Sequence, residues 1–298
     1  AHRVLNDRGQ TGLIATNTLA QGDTREVGLD QLVAGGVTIR QAVKSEPWPS
    51  KSAALEYCVI WGSQDKLGKN AEIFLDRTRV IGIMPSLDPT SRASGTPERL
   101  ASNKGVAHIG SLILGSGFIM PYEKARNLIT KDPKNKNFLF PYLKGQDLNS
   151  QPNLSASRWI INFGDGSLEK CEIHSELIQI VRDKVKPQRD QLPNYKKRVR
   201  ENWWKYEHQA KPLYEAISKM DQTIALARVS KTVMPSIVKT GQVFSEQIVV
   251  FATDDTAVLA LLSSAPHYWW AKSHGSSMKA DLRYTPSDVF ETFPLPEL

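Results

Sequence analysis

The apolar residues of this chain arrive in short runs bounded by turn residues, and that spacing limits the fold more than any other feature. Residues 12–16 (GLIAT), 37–43 (VTIRQAV) and 53–61 (AALEYCVIW) have strand length and composition, and 26–33 has helical spacing. The order strand, helix, strand, strand suits an antiparallel pair at the edge of an otherwise parallel sheet. Residues 62–70 (GSQDKLGKN) are polar and contain glycine, as linkers do, so the expected domains are 1–66 and 67–298. The longest run, 108–120, carries Ser and Gly and falls short of the roughly 20 residues that a membrane helix needs, so no membrane partner is expected. The opening residues, AHRVLNDRGQ, have no initiator Met and no apolar signal core, and the chain reads as cut from something longer.

The second part mixes its elements without a regular βα alternation. Strands are expected at 73–83, 111–120, 158–163, 223–228 and 243–252. Helices are expected at 122–130 and at 173–185, where Ile173, Leu177, Ile180, Val181 and Val185 share one face. A further helix runs from Asp254 as N-cap to Leu262. A last short one starts at Thr285, with Pro286 after the cap and Asp288 three residues on. The class is α+β.

The charge excess is local. The chain carries +7, and between Arg182 and Lys205 nine basic residues stand against three acids, close to the whole surplus. Tyr195, Trp203, Trp204 and Tyr206 are interleaved with them. Such a segment either lines a phosphate backbone, with Arg189, Lys196, Lys197, Arg198 and Arg200 as contacts, or forms a solvated face whose tryptophan pair packs inward.

Several chemistries find no support. Residues 114–118 (LGSGF) begin a dinucleotide fingerprint, but Met120 stands where the third glycine belongs, so a turn is expected. The six histidines show no metal-ligand spacing with each other or with Cys58 and Cys171, and no Gly-x-Ser-x-Gly elbow occurs. Two distant cysteines exclude a disulfide framework and fit a reducing, cytoplasmic setting.

Five segments carry a resemblance: GLIATNTLAQGDTRE (12–26), EPWPSKSAALEYCVIW (46–61), FPYLKGQDLN (140–149), ARVSKT (227–232) and SDVFETFPLP (287–296). Together they resemble the C-terminal half of gamma-type adenine-specific DNA methyltransferases that use S-adenosylmethionine, in particular type IIL and type IIG restriction-modification enzymes. The resemblance implies the tail of a Rossmann-like methyltransferase sheet followed by a mixed α+β target recognition domain. It also implies double-stranded DNA and an N-terminal methylase domain as partners, with or without a nuclease before it. The family's Gly-rich donor loop and Asn-Pro-Pro-aromatic motif are both absent from these 298 residues. The resemblance therefore implies no catalytic residue and no cofactor here, with S-adenosylmethionine bound by the full-length enzyme. A separate specificity subunit pairing with a methylase chain, and an autonomous S-adenosylmethionine enzyme, are the rival readings.

Site residues follow from the same resemblance. Trp48 occupies the place of the aromatic residue that stacks on the flipped adenine, unless it plugs the bottom of the sheet. Asn17, Gln21 and Arg25 follow a strand end on the ligand side and are expected near DNA or donor, a helix-start role for Thr24 being the rival. Base-reading chemistry selects Arg228, Lys231, Lys239 and Gln242, with a second cluster of Gln146, Asp147 and Asn149 beside Lys144 as a phosphate contact. Turn chemistry at Gly145 and Asp147 is the alternative.

Overall fold

Residues 10–16 alternate poorly between polar and apolar, and strand β1 (Gln10–Thr16) is accordingly an edge strand with most side chains exposed. After α1 (Gly22–Val27) and α2 (Leu29–Ala34) come β2 (Thr38–Pro47) and β3 (Glu56–Ser63). Strand β3 lies between β1 and β2 and is antiparallel to both, with Ala15 opposite Cys58 and Val43 opposite Val59. The expected antiparallel strand is thus inserted between two strands that run the same way. The single helix expected at 26–33 is instead two, divided at Gly28, where a Cβ would fall 2.8 Å from the Thr24 carbonyl oxygen. Thr24 lies inside α1 and starts no helix.

The strand expected at 73–83 is a hairpin, β4 (Ile73–Leu75) and β5 (Thr78–Val80). Asp76 and Arg77 both have positive φ (48° and 67°), the signature of a two-residue I′ turn. Ala20, Leu29, Ile39, Ala42, Cys58, Ile60, Leu75 and Leu87 form the core of this unit.

The computed structural model describes residues 6, 9–49, 55–64, 71–90, 97–278 and 281–296. Its two compact units are Ala1–Leu100 with Trp269–Phe293, and Ala101–Tyr268 with Pro294–Leu298. Residues 65–70 of the linker expectation lie outside the described residues.

The second unit is built from β6 (Ala107–Ile109), β7 (Ile119–Met120), α3 (Tyr122–Lys131), β8 (Leu139–Leu143), α4 (Gly145–Ser150) and β9 (Arg158–Ile161). Next come α5 (Leu168–Glu172), α6 (Ser175–Lys184), α7 (Lys186–Asp190), α8 (Lys197–Glu201) and α9 (Lys211–Ala216). Then follow β10 (Gln222–Ala227), β11 (Val229–Ser230), β12 (Ser236–Lys239), β13 (Val243–Phe244), β14 (Ile248–Phe251) and α10 (Thr256–Leu262). Two small sheets result, ordered β12-β10-β14-β6 and β13-β8-β9-β7. The strand expected at 243–252 divides at Ser245, where the chain leaves a parallel pairing with β8 and enters the antiparallel pairing of β14 with β10. Ile248 N–H closes that turn on the Ser245 carbonyl at 3.0 Å.

The strand expected at 111–120 is mostly a turn. Leu114 (φ 43°) and Gly115 (φ 132°) break it, a short 3-10 turn follows at Ser116–Phe118, and Gly117 sits where a Cβ would be 2.5 Å from Lys184 Cβ. The expected reading of LGSGF as a turn holds, with α6 packed against it. The 173–185 helix begins at Ser175, and Asp255 rather than Asp254 caps α10, its carboxylate accepting from Ala257 N–H at 2.8 Å.

Helix α11 (Ala265–His274) returns the chain to the first unit, where β15 (Ser276–Met278) and β16 (Asp281–Arg283) form a hairpin. At Pro286–Phe290 the chain makes a π turn, and Thr285 gives it no side-chain cap. Leu100 N–H donates to the Glu291 carbonyl at 2.7 Å, and Trp270 Nε1 to Thr292 Oγ1 at 3.0 Å. No helix among the described residues is long and apolar enough to cross a membrane.

Candidate nucleic-acid interface

Glycine 145 begins helix α4 against the turn before β14. A Cβ there would stand 3.0 Å from the Gln247 carbonyl oxygen and 3.3 Å from Gln247 Cβ. A side chain at this position would push α4 outward by a few tenths of an ångström. Arg228 N–H donates to the same Gln247 carbonyl at 2.7 Å, and Ser230 Oγ donates to Asn149 Oδ1 at 3.3 Å. The two polar clusters, FPYLKGQDLN and ARVSKT, therefore meet. Gln146, Asn149 and Lys231 are exposed there, with Lys144 and Arg228 half-buried beside them.

Three of the expected base readers have other work or another place. Asp147 is buried, and its Oδ2 accepts from Lys144 N–H at 2.9 Å, so it caps α4 and is not available to a base. Gln242 donates from Nε2 to the Lys239 carbonyl at 2.7 Å, closing the bend at Gly241 (φ 71°) between β12 and β13. Lys239 is exposed but pairs in register with Gln222, at the start of β10, whereas Arg228 follows its end. Strand rise puts the two about 20 Å apart. The structure does not bring Lys239 to the Arg228 cluster; Lys239 instead borders a groove of about 630 Å³ with Tyr122 and Trp159.

The basic run divides sharply. Arg189 is buried at 1% exposure, and its guanidinium donates to the carbonyls of Ile113, Leu114, Asn202, Trp203 and Lys205 at 2.6–3.3 Å. It cannot also reach a phosphate; it is a strap that closes the 113–114 turn onto the 202–205 segment. Burial lowers its pKa to about 10, still a cation at neutral pH. Trp203 and Tyr206 are core residues, and Trp204 donates from Nε1 to the Gly166 carbonyl at 2.9 Å, so the tryptophan pair packs inward. Lys196 is paired with Glu207 (2.8 Å) and Lys197 with Glu201 (3.6 Å), while Arg198 and Arg200 donate to the carbonyls of Glu207 and Leu192. Lys205, the last cation of the expected basic run, lies around the same segment with Asp165 and Lys211, which sequence reasoning missed as site residues. The one local signal was Lys211-Pro212, a helix start that fixes the lysine at the first turn.

In the first unit, Trp48 is 42% exposed and does not plug the sheet. It sits at the mouth of the β2–β3 hairpin, its N–H donating to the Leu55 carbonyl at 2.9 Å. Its ring meets Tyr57 edge-on (5.5 Å, 86°), and the Tyr57 hydroxyl donates to Glu46 Oε2 at 3.0 Å, which raises the phenol pKa. Asn17 is buried, and its Nδ2 donates to Ser45 Oγ (2.9 Å) and Glu56 Oε2 (2.8 Å), tying the end of β1 to β2 and β3. That role removes it from any ligand surface. Arg25 pairs with Asp30 at 3.3 Å, and Gln21 precedes α1 as its N-cap without a side-chain bond to the helix. No group of three or more His, Cys, Asp or Glu able to hold a metal ion occurs among the described residues.

Comparison with known proteins gives a consistent result. The family described as "MmeI, target recognition domain" matches residues 100–297. "DNA methyltransferase A" of Bacillus subtilis (strain 168) is 23% identical over 97% of this chain and 33% of its own length. The structure of the type IIL restriction-modification enzyme MmeI in complex with DNA superposes with a TM-score of 0.77 at 18% identity, over 98% of this chain and 40% of that one. The chain thus spans well under half of each relative.

Proposed function

Since this chain belongs to the MmeI target recognition domain family, we propose that it is the sequence-reading module of a restriction-modification enzyme that methylates adenine at N6 with S-adenosylmethionine. Residues 100–297, the matched region, include the meeting of α4 with the 228–231 segment, and that meeting carries the proposal. Arg228, Lys231, Gln146 and Asn149 supply the residue types that make paired contacts with guanine and adenine edges. Lys144 serves a backbone phosphate beside them.

The methyl donor does not fit the residues present. The apolar cavity of about 100 Å³ between α2 and the sheet is lined by Leu13, Leu29, Leu32, Val33, Ile39 and Ile60 among others, with no charged side chain to meet an amino acid or ribose. With the Gly-rich loop and the Asn-Pro-Pro-aromatic motif also missing, donor binding and transfer belong to sequence outside these 298 residues. Trp48 contributes from this side, giving an extruded adenine a flat face to replace its lost stacking neighbours. The half-exposed ring, held by Tyr57 and Glu46, supports that reading.

The test is selection of duplexes from a randomised pool on the purified chain, followed by binding of the enriched site across salt. Enrichment of one short site, lost when Arg228 or Lys231 becomes alanine, supports the proposal. Salt-independent retention, or a pool that stays random, refutes it.

A further inference from the structure

The segment 198–212 and the loop at Asp165 enclose a cleft of about 380 Å³ in the second unit, lined by Arg198, Asn202, Lys205, Glu207 and Lys211 among others. The geometry points to this cleft as a seat for backbone phosphates of duplex DNA. This rests on the DNA-reading proposal above, but concerns a different surface feature, without base-edge chemistry.

The argument starts from charge balance. Lys211 Nζ pairs with the Asp165 carboxylate, and Lys205 Nζ donates to the Asp165 carbonyl at 3.0 Å, so two ammonium groups converge on a residue with one negative charge. Arg198 donates from Nη2 to the Glu207 carbonyl at 3.2 Å, while Lys196 meets Oε1 of the Glu207 carboxylate at 2.8 Å and leaves the buried Oε2 without a hydrogen-bond partner among the described residues. Arg198 and Lys205 are thus anchored by neutral carbonyls, which orient a cation without cancelling its charge. Their field is left directed at the cleft, and an anion completes the pairing. Lys205 also lies 5.6 Å over the Trp204 ring, which fixes its stem.

The backbone shows the same provision. Ala210 is a buried non-glycine residue in the left-handed region (φ 52°, ψ 41°), a conformation that costs alanine on the order of 1 kcal/mol. That turn sets Lys211 at the start of α9, facing Asp165. Strain of this kind persists where the surroundings demand the geometry.

The choice of a phosphodiester over an acidic peptide follows from what the cleft lacks. The amides of Asn202 and Gln209 already donate to the carbonyls of Arg198 and Gly164, at 2.9 and 3.1 Å. Recognition then falls to Arg198 and Lys205, and a guanidinium fork beside an ammonium suits the paired oxygens of a repeating phosphodiester backbone.

The experiment is fluorescence anisotropy of a labelled duplex with the 298-residue chain over a range of salt, comparing wild type with the double variant Arg198→Ala/Lys205→Ala and with Asp165→Asn. Loss of two phosphate contacts lowers the slope of log K against log salt by about 2 and weakens binding on the order of tenfold at low salt, equally on any sequence. Asp165→Asn, which frees Lys211, tightens binding and keeps the proposal testable should the double variant fold poorly by circular dichroism. Unchanged slopes in both variants, with the wild type binding normally, overturn the cleft and leave the base-reading proposal standing. No duplex binding by the wild type overturns both. Displacement of the duplex by polyglutamate from wild type alone, or an affinity for inorganic phosphate with unchanged duplex slopes, assigns the cleft elsewhere and overturns it as well.

Discussion

Arg189 Nη2 donates to the Ile113 carbonyl oxygen at 2.6 Å, across 76 residues of sequence, in a site that admits almost no water. The same guanidinium satisfies four other carbonyls and lies 5.3 Å from the centre of the Phe118 ring. Arg189→Met leaves the Ile113, Leu114, Trp203 and Lys205 carbonyls without this donor, while Asn202 keeps the Lys205 N–H at 3.0 Å; at about 1–3 kcal/mol for each buried acceptor left unpaired, stability is expected to fall by more than about 3 kcal/mol. Arg189→Lys recovers only part, since a single ammonium cannot span the fork. Urea denaturation of both variants checks the order; a loss below about 1 kcal/mol in Arg189→Met would show that the strap does not bear on stability.

That bond also explains where the sequence misled. Residues 111–120 have strand composition, but Arg189 takes the carbonyls a strand would offer a neighbour, and nothing local reports a partner so far along the chain. Arg189 itself looked like a phosphate ligand because it sits among lysines whose burial differs from its own. Strands β1 and β2 and helix α3 were legible because their signals are local: short apolar runs closed by turns, and helical spacing after Pro121. The meeting of FPYLKGQDLN with ARVSKT was visible only as two polar clusters, since the contact depends on Gly145 lying beside Gln247. Asn17 shows the converse: its place at a strand end suggested a ligand, while Glu56, which binds it, arrives from β3.

Glycine substitutions should grade with distance. Gly145→Ala meets Gln247 at 3.0 Å, a contact that a shift of a few tenths of an ångström relieves, and about 1 kcal/mol of destabilisation is expected with weaker site selectivity. Gly117→Ala meets Lys184 Cβ at 2.5 Å and its backbone carbonyl carbon at 3.0 Å, so about 2–3 kcal/mol is expected. Equal melting temperatures for the two would refute this ranking.

Two histidines give the chain an acid-sensitive stability. Burial lowers the pKa of His267, whose Nδ1–H donates to the Leu262 carbonyl at 2.7 Å. Burial, then Arg25 and Lys44, lower that of His274, against an opposing Asp88. A depressed folded-state pKa means that the unfolded chain binds protons first, so stability is full above the ordinary 6.5 and is lost as pH falls toward the folded values. The urea midpoint should drop between pH 7.5 and pH 5.5, and His267→Gln with His274→Gln should flatten that drop. A midpoint equally pH-dependent in the double variant would contradict the assignment.

Base readers and the Lys239 groove should separate in binding. Arg228→Ala or Lys231→Ala is expected to cost about 1–3 kcal/mol on the preferred duplex and little on a scrambled one, because paired contacts to base edges are sequence-dependent. Lys239→Ala, at the far end of β10, should leave the preference intact. Competition between the two duplexes measures both; a shift of preference in Lys239→Ala would move the reading surface to the groove beside Tyr122 and Trp159.

Trp48 separates stability from function. Trp48 is 42% exposed, so more than half of its surface is covered, and Trp48→Ala should cost on the order of 2 kcal/mol in folding. In the full-length enzyme, stacking on an extruded base is worth about 1–3 kcal/mol, so the same variant should lose roughly 5- to 150-fold in binding to a duplex with 2-aminopurine at the target adenine. The fluorescence of that base reports stacking directly: quenched against Trp48 and bright in the variant. Tyr57→Phe removes the hydroxyl that donates to Glu46 at 3.0 Å but keeps the edge contact at 5.5 Å, so an intermediate signal is expected. If emission is as quenched in Trp48→Ala as in wild type, another ring holds the base and the role assigned to Trp48 is withdrawn.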